Sequence, residues 1–276
     1  MHFRNSFSLS VSLIALAAAC PALAADVDFS GVFAPAVSTV NGKIETFMGS
    51  AGGVFIPGLA GALSVPVGEQ YGAQVDGLLA VNGGNAAYGL GGHFFWRDPA
   101  RGLLGLYAGY VHREFGELIE IDGFEVTGEG TGKVGLEGEA YMSNISLEGF
   151  AGYQFGTNTG FAGRATAAFY PSEDLRLDLS VRHLVGPGVS GSVGLEWQPP
   201  STSMSLFADG GVSANAGGFA QLGVRLYSGA GQKSLIQRHR EDDPTIDLPD
   251  DLYAIVGDGN CPAGTYQING FCDSNS

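Results

Sequence analysis

The chain has 276 residues, 45 of them glycine, with only 15% charged residues and a formal net charge of −15. That charge excludes a nucleic-acid partner as the working reading, and the charged fraction falls well short of the roughly 25% usual for a soluble globular domain. The 17 phenylalanines and 10 tyrosines spread along the chain exclude a low-complexity glycine segment.

The first residues read as a targeting segment. His2 and Arg4 are basic, Phe7 to Ala19 is apolar, and Ala22-Leu23-Ala24 is an A-x-A cleavage site, so residues 1–24 form a secretory signal. A lipoprotein reading of Cys20 competes poorly, because Pro21 would follow the lipidated cysteine. No later run reaches the ~18 apolar residues of a membrane helix. Residues 25–41 read as an N-terminal periplasmic segment.

From residue 42 the hydrophobic period is two. In "LRLDLSVRHL", Leu175, Leu177, Leu179 and Val181 alternate with Arg176, Asp178, Ser180 and Arg182. "GKVGLEGEAYM" and "ISLEGFAGYQF" alternate in the same way. Turn-forming stretches such as "NGGN", "RDPARG", "YPSED", "VGPG" and "QPPSTS" separate these runs. The spacing predicts strands near 42–50, 59–66, 71–81, 86–97, 102–114, 132–142, 145–155, 160–170, 175–184, 188–198, 203–213 and 217–227. Runs of about ten residues suit tilted membrane-crossing strands. The expected fold is therefore all-β: a closed antiparallel up-and-down transmembrane barrel of about twelve strands over residues 42–227. A soluble β-sandwich is the structural rival, but its outer face should carry far more charge. Gly116 to Thr131 reads as a long outer loop, with Glu117 to Val126 as a possible further hairpin strand.

With the apolar parity turned to lipid, the lumen should be lined by Asp76, Glu137, Glu139, Glu148, Arg164, Arg176, Asp178, Arg182, Glu196, Asp209 and Arg225. Lys133 shares that face, and Arg97 and Arg113 lie near strand ends. These charges must be paired or wet. Gly89, Gly91, Gly105, Gly109, Gly135, Gly152, Gly194 and Gly223 have the same parity. They would either leave room for a channel or ease the curvature of a small barrel. Trp96, Phe155, Tyr170, Trp197 and Tyr227 lie near strand ends and read as an aromatic girdle.

After Tyr227 the alternation stops. Residues 228–276 read as a partly disordered periplasmic tail, its acidic "EDDPTIDLPDD" a solvated linker. Cys261 and Cys272 would close a small disulfide loop in an exported chain. No metal or cofactor motif is present in the sequence.

"QLGVRLY" at Gln221 to Tyr227 resembles the insertion signal in the last strand of Gram-negative outer-membrane β-barrels, although here the chain continues beyond it. "FWRDPARGLLGLYAGY" and "GLEGEAYMSNISLEGFAGY" resemble porin-like members of unassigned function. The resemblance implies an outer-membrane location, with membrane lipid and the barrel-assembly machinery as partners. The expected role is passive passage of small hydrophilic solutes, without enzymatic activity. One alternative is a sealed structural or surface-interaction barrel. Another is an outer-membrane hydrolase using His93, His112 or His183 as base, although no nucleophile motif accompanies them.

Overall fold

The computed structural model describes residues 34–257 apart from 122–123, 230–231 and 243, together with 265–268 and 271–274. Side chains of residues 115–127 and of the segment past 256 are not described. The secretory signal lies outside the described residues, as does the pairing of Cys261 with Cys272.

Twelve antiparallel strands close into a barrel. They are β1 (Asn41–Ala51), β2 (Val54–Val67), β3 (Tyr71–Asn82), β4 (Asn85–Asp98), β5 (Gly102–Ile121) and β6 (Phe124–Met142). The second half is β7 (Ile145–Gly156), β8 (Gly160–Ser172), β9 (Leu175–Leu184), β10 (Gly188–Trp197), β11 (Met204–Ser213) and β12 (Gly217–Ser228). Every strand pairs with its sequence neighbours, and β1 pairs with β12 from Gly42↔Ser228 to Ala51↔Phe219. No ladder edge is left open, which is what a sheet in hydrocarbon requires. Two helices follow, α1 (Leu235–Glu241) and α2 (Leu248–Gly257), and then a two-stranded ribbon of β13 (Thr265–Ile268) and β14 (Phe271–Ser274). Among the described residues no helix is long and apolar enough to cross a membrane.

The period-two pattern sorts the two faces. Leu90, Val212 and Leu79 are 69%, 68% and 64% exposed on the outside, as are many other leucines and valines. Their neighbours of opposite parity, including Lys43, Glu45, Asp76, His93 and Lys133, are buried. An apolar exterior around a charged interior is the reverse of a soluble domain and fits a lipid surround.

The two rims differ. One carries the start of β1, the end of β12 and the turns at 68–70, 99–101, 143–144, 173–174 and 198–203. The other carries the β5–β6 hairpin, the longest projection of the barrel. The expected loop Gly116 to Thr131 is instead largely paired. The β5–β6 ladder runs to Glu114↔Gly128, shifts register, and resumes at Ile119↔Val126. The tight β3–β4 turn needs Gly83 and Gly84, at φ +57° and +94°, a sign other residues seldom adopt.

Strands about 4.8 Å apart, tilted by about 40°, give a twelve-strand backbone cylinder roughly 24 Å across. Inward side chains on both walls reduce this to a bore of roughly 12 Å, about the width of one α-helix.

Candidate functional site in the lumen

A helix fills that bore. The reading of residues 228–276 as a partly disordered tail, with "EDDPTIDLPDD" a solvated linker, is corrected for the described residues between 232 and 257. α1 lies across the short-turn rim and α2 runs up the lumen. Leu248, Leu252, Tyr253, Ile255 and Val256 are buried in one cluster with Phe47, Ile56, Leu78, Val111 and Phe207 from the wall. The reason is compositional. The segment alternates acids, which need counter-charges, with apolar residues at helical spacing, and the lumen supplies partners for both.

α1 is fastened to three turns. The Ile236 N–H donates to the Glu173 carbonyl at 3.0 Å. Arg240 donates to the carbonyls of Ser143 and Ile145 at 2.8 and 2.9 Å. Arg238 Nε donates to Gln198 Oε1 at 3.1 Å and lies over the Tyr227 ring. His239 lies 3.5 Å from Glu196 and 3.0 Å from the Tyr170 hydroxyl. Burial holds its imidazole below the ordinary range, despite the nearby carboxylate. Ser38, Asn41 and Lys233 converge on Asp242, tying residues 38–41 to the end of α1.

From there the chain turns inward. The Pro244 carbonyl accepts from Lys43 Nζ at 3.4 Å and Gln74 Nε2 at 3.3 Å. Lys133 Nζ bonds Asp247 at 2.9 Å and Asp251 at 3.0 Å. Arg164 pairs with Asp247. Arg182 reaches Asp250 at 2.5 Å and Asp251 at 3.3 Å. Arg164 and Arg182 are direct register partners across β8 and β9. Two opposed like charges are destabilising, and the acids of the plug supply their counter-charge. Asp250 and Asp251 also sit in the first turn of α2, where the helix dipole favours anions. Further up, the Tyr253 ring lies 6.1 Å from Phe47 and 6.2 Å from Phe219, and its hydroxyl donates to the Ile56 carbonyl at 3.3 Å.

The other lumen charges pair wall to wall. His93 bridges Asp76 and Glu137, both at 2.8 Å. Arg176 bonds Glu148 at 2.9 Å and Asp178 at 3.1 Å. Arg225 bonds Glu45 at 2.7 Å and also Glu196, which further accepts from Tyr227 at 2.6 Å. Glu139 accepts from Tyr141 at 2.7 Å. Gln221 lies between Asp209 and Asp250. All eleven charged residues assigned to the lumen thus lie on the inner face; Arg164 and Arg182 bond the acids of the plug, and Glu196 meets His239 of α1. A cavity of about 80 Å³ remains beside it, lined by Glu45, Asp178, Glu196, Asp209, Arg225 and Asp250 among others.

Among solved structures the chain resembles a KdgM porin in complex with disordered oligogalacturonate. The identity is 10% and the TM-score 0.50, over 68% of this chain and 99% of that one. The fold is that of the outer-membrane β-barrels. An outer-membrane channel from Pseudomonas putida F1 matches at 9% identity and TM-score 0.49, over 73% of this chain and 100% of that one. Outer membrane phospholipase A from Escherichia coli matches at 13% and 0.45, over 71% and 98%. No protein-family model and no curated protein matches the chain.

Within this outer-membrane barrel the histidines divide. His93 is held on both ring nitrogens by carboxylates, so neither is free to activate a nucleophile. His112 stands by Tyr88 and Tyr110, and His183 is stacked 6.1 Å from the exposed Phe161. No serine is hydrogen-bonded to any of the three among the described residues.

The girdle needs correction. Trp96, Phe155 and Trp197 face outward, with Tyr71 and Phe94 stacked nearby. Tyr170 and Tyr227 are buried, 2% and 7% exposed, and point inward to His239 and Glu196. Their parity decides this. Tyr170 is an even step from Arg164, and Tyr227 from Arg225.

The inward glycines make room for side chains. A Cβ at Gly109 would lie 2.2 Å from the Tyr107 hydroxyl, and one at Gly223 would lie 2.6 Å from the Phe207 ring. Gly49 likewise receives the Tyr253 hydroxyl of the plug, at 2.3 Å from a Cβ there.

Proposed function

We infer that the protein is an outer-membrane channel for small hydrophilic solutes, held shut by its own C-terminal segment. One observation carries this reading: the barrel ladder closes without the plug. β1 to β12 pair continuously around the wall, while the plug touches that wall through side chains, ion pairs and isolated carbonyl bonds, two at Pro244 ahead of α2 and one from Tyr253 within it. Withdrawing α2 would leave the ladder intact around a bore of roughly 12 Å, lined by charged residues. Lys133, Arg164 and Arg182 would then face water on one side of the passage, a cationic patch able to bias ion selectivity.

A sealed structural barrel is the second reading, and the apolar burial of α2 favours it. Liposome swelling separates the two. Vesicles carrying the chain truncated after Asp242 swell in small sugars under the channel reading, and vesicles carrying the full chain swell slowly. Equal impermeability of both, with the truncated chain still a heat-modifiable barrel, would support the sealed reading.

A further inference from the structure

We propose that the three aspartates of the plug occupy a binding site for a small di- or tricarboxylate, as stand-ins for its carboxylates. That such a solute is also the cargo of the lumen rests on the channel reading; the site itself does not.

The wall supplies the first argument. Arg113, Arg176 and Arg225 pair with carboxylates of the wall itself. Lys133, Arg164 and Arg182 do not. Among the described residues, all their ion pairs are with Asp247, Asp250 and Asp251. Arg164 and Arg182 face each other across β8 and β9, so the wall alone holds like charges together. Lys133 stands on an aromatic floor, its Nζ 5.2 Å from the ring centres of both Tyr107 and Phe150. Three largely buried cations that the wall leaves unanswered in one place make an anion site.

The plug fills this site incompletely. Arg164 engages Asp247 through one terminal nitrogen, and its Nε has no partner among the described residues. A solute carboxylate would take Nε and a terminal nitrogen together, in the fork geometry that suits a guanidinium. The hydroxyl of buried Tyr107 also lacks a partner among the described residues. It lies over Gly109, the backbone partner of Lys133, and so beside the same cation. Asp250 is the loosest of the three acids, its side chain 37% exposed against 4% and 6% for Asp247 and Asp251. Cavities of about 80 and 30 Å³ open beside it; the larger reaches Arg164 and the smaller reaches Arg182. Polar space therefore touches both guanidinium groups while the plug is seated, and Arg182 can exchange Asp250 for a solute carboxylate first.

The stand-ins set the class of ligand. The Asp251 N–H donates to the Asp247 carbonyl at 3.1 Å, so the two residues stand one helical turn apart, with about 5–6 Å between their Cβ atoms. Lys133 bonds both carboxylates at once. A chain of about three to five carbons carrying two or three carboxylates spans that distance. Inorganic phosphate has a single centre and does not.

The test uses the full chain refolded in detergent. One variant combines Asp247→Asn, Asp250→Asn and Asp251→Asn, and another carries Asp250→Asn alone. Both keep the length and apolar packing of the plug while removing stand-in charge. Each is titrated calorimetrically with tricarballylate, acetate and inorganic phosphate at equal ionic strength. The expected result is that tricarballylate binds the triple variant on the order of 10-fold tighter than it binds the unaltered chain, with Asp250→Asn between them. Adding Arg182→Gln to the triple variant should remove the gain, and acetate and phosphate should gain little. Equal binding by the unaltered chain and by variants that still form heat-modifiable barrels would overturn the proposal. Phosphate binding as tightly as tricarballylate would overturn the carboxylate assignment. If the triple variant does not form a barrel, Asp250→Asn decides the same comparison. Planar-bilayer current through the triple variant is read separately. Binding without current would sink the channel reading and leave the site, and current without binding would do the reverse.

Discussion

Lys133→Met removes one cation from the contact between α2 and the wall. Its Nζ lies 2.9 Å from Asp247 and 3.0 Å from Asp251, and all three side chains are at most 6% exposed. Removing one partner of a buried ion pair costs about 3–5 kcal/mol, because the other charge stays buried. Arg164 still serves Asp247 and Arg182 still serves Asp251, so the lower end of that range applies, about 3 kcal/mol. At about 1.4 kcal/mol per decade, docked α2 loses on the order of 100-fold in population relative to undocked α2. The loss falls on docking and not on the barrel, since Lys133 pairs by its backbone with Gly109 and Gln154 whatever its side chain. Hydrogen exchange read by mass spectrometry gives the measurement. Amides of residues 248–256 should lose on the order of 100-fold in protection, while strand amides keep theirs. Unchanged protection in α2 would refute the reasoning. Equal loss in α2 and the strands would mean that Lys133 holds the wall itself.

Three further outcomes follow from the same contacts. Tyr253→Ala strips the ring packed on Phe47 and Phe219 and should weaken plug docking by about 3–5 kcal/mol, seen as faster exchange in α2 with an unchanged barrel unfolding midpoint. Arg225→Leu leaves Glu45 on β1 and Glu196 on β10 buried without this cation and should destabilise the barrel itself by about 3–5 kcal/mol, measured by urea unfolding in detergent or lipid. The chain has two tryptophans, Trp96 and Trp197, both on the outer face. Lipids brominated on the acyl chain near the headgroup should quench most of the fluorescence, and quenching by aqueous iodide alone would contradict the outward placement.

The barrel was legible because strand alternation is local. "LRLDLSVRHL" assigns its own faces, and the lumen parity of Arg176, Asp178 and Arg182 needs no knowledge of any other strand. Tyr170 and Tyr227 were equally legible by parity; reading them by nearness to a strand end put them on the wrong face. The plug was legible in part. Leu248, Leu252 and Ile255 or Val256 recur at helical spacing, with Pro249 in the first turn, where a proline is tolerated. Its acids gave it the composition of a solvated linker. Their partners, Lys133, Arg164 and Arg182, sit on three different strands, and only the register of those strands brings them to one part of the wall. That register is a non-local property of the closed sheet, as is the direct opposition of Arg164 and Arg182 that calls for a counter-charge.

The most direct test of the account is single-channel current in a planar bilayer, comparing the refolded full chain with the chain truncated after Asp242. The account predicts that the full chain is closed for most of the record and that the truncated chain shows discrete, long-lived open steps. Reversing Arg182 in the truncated chain should shift its selectivity towards cations. A truncated chain that forms a heat-modifiable barrel and carries no current would contradict the claim that α2 is what closes the passage.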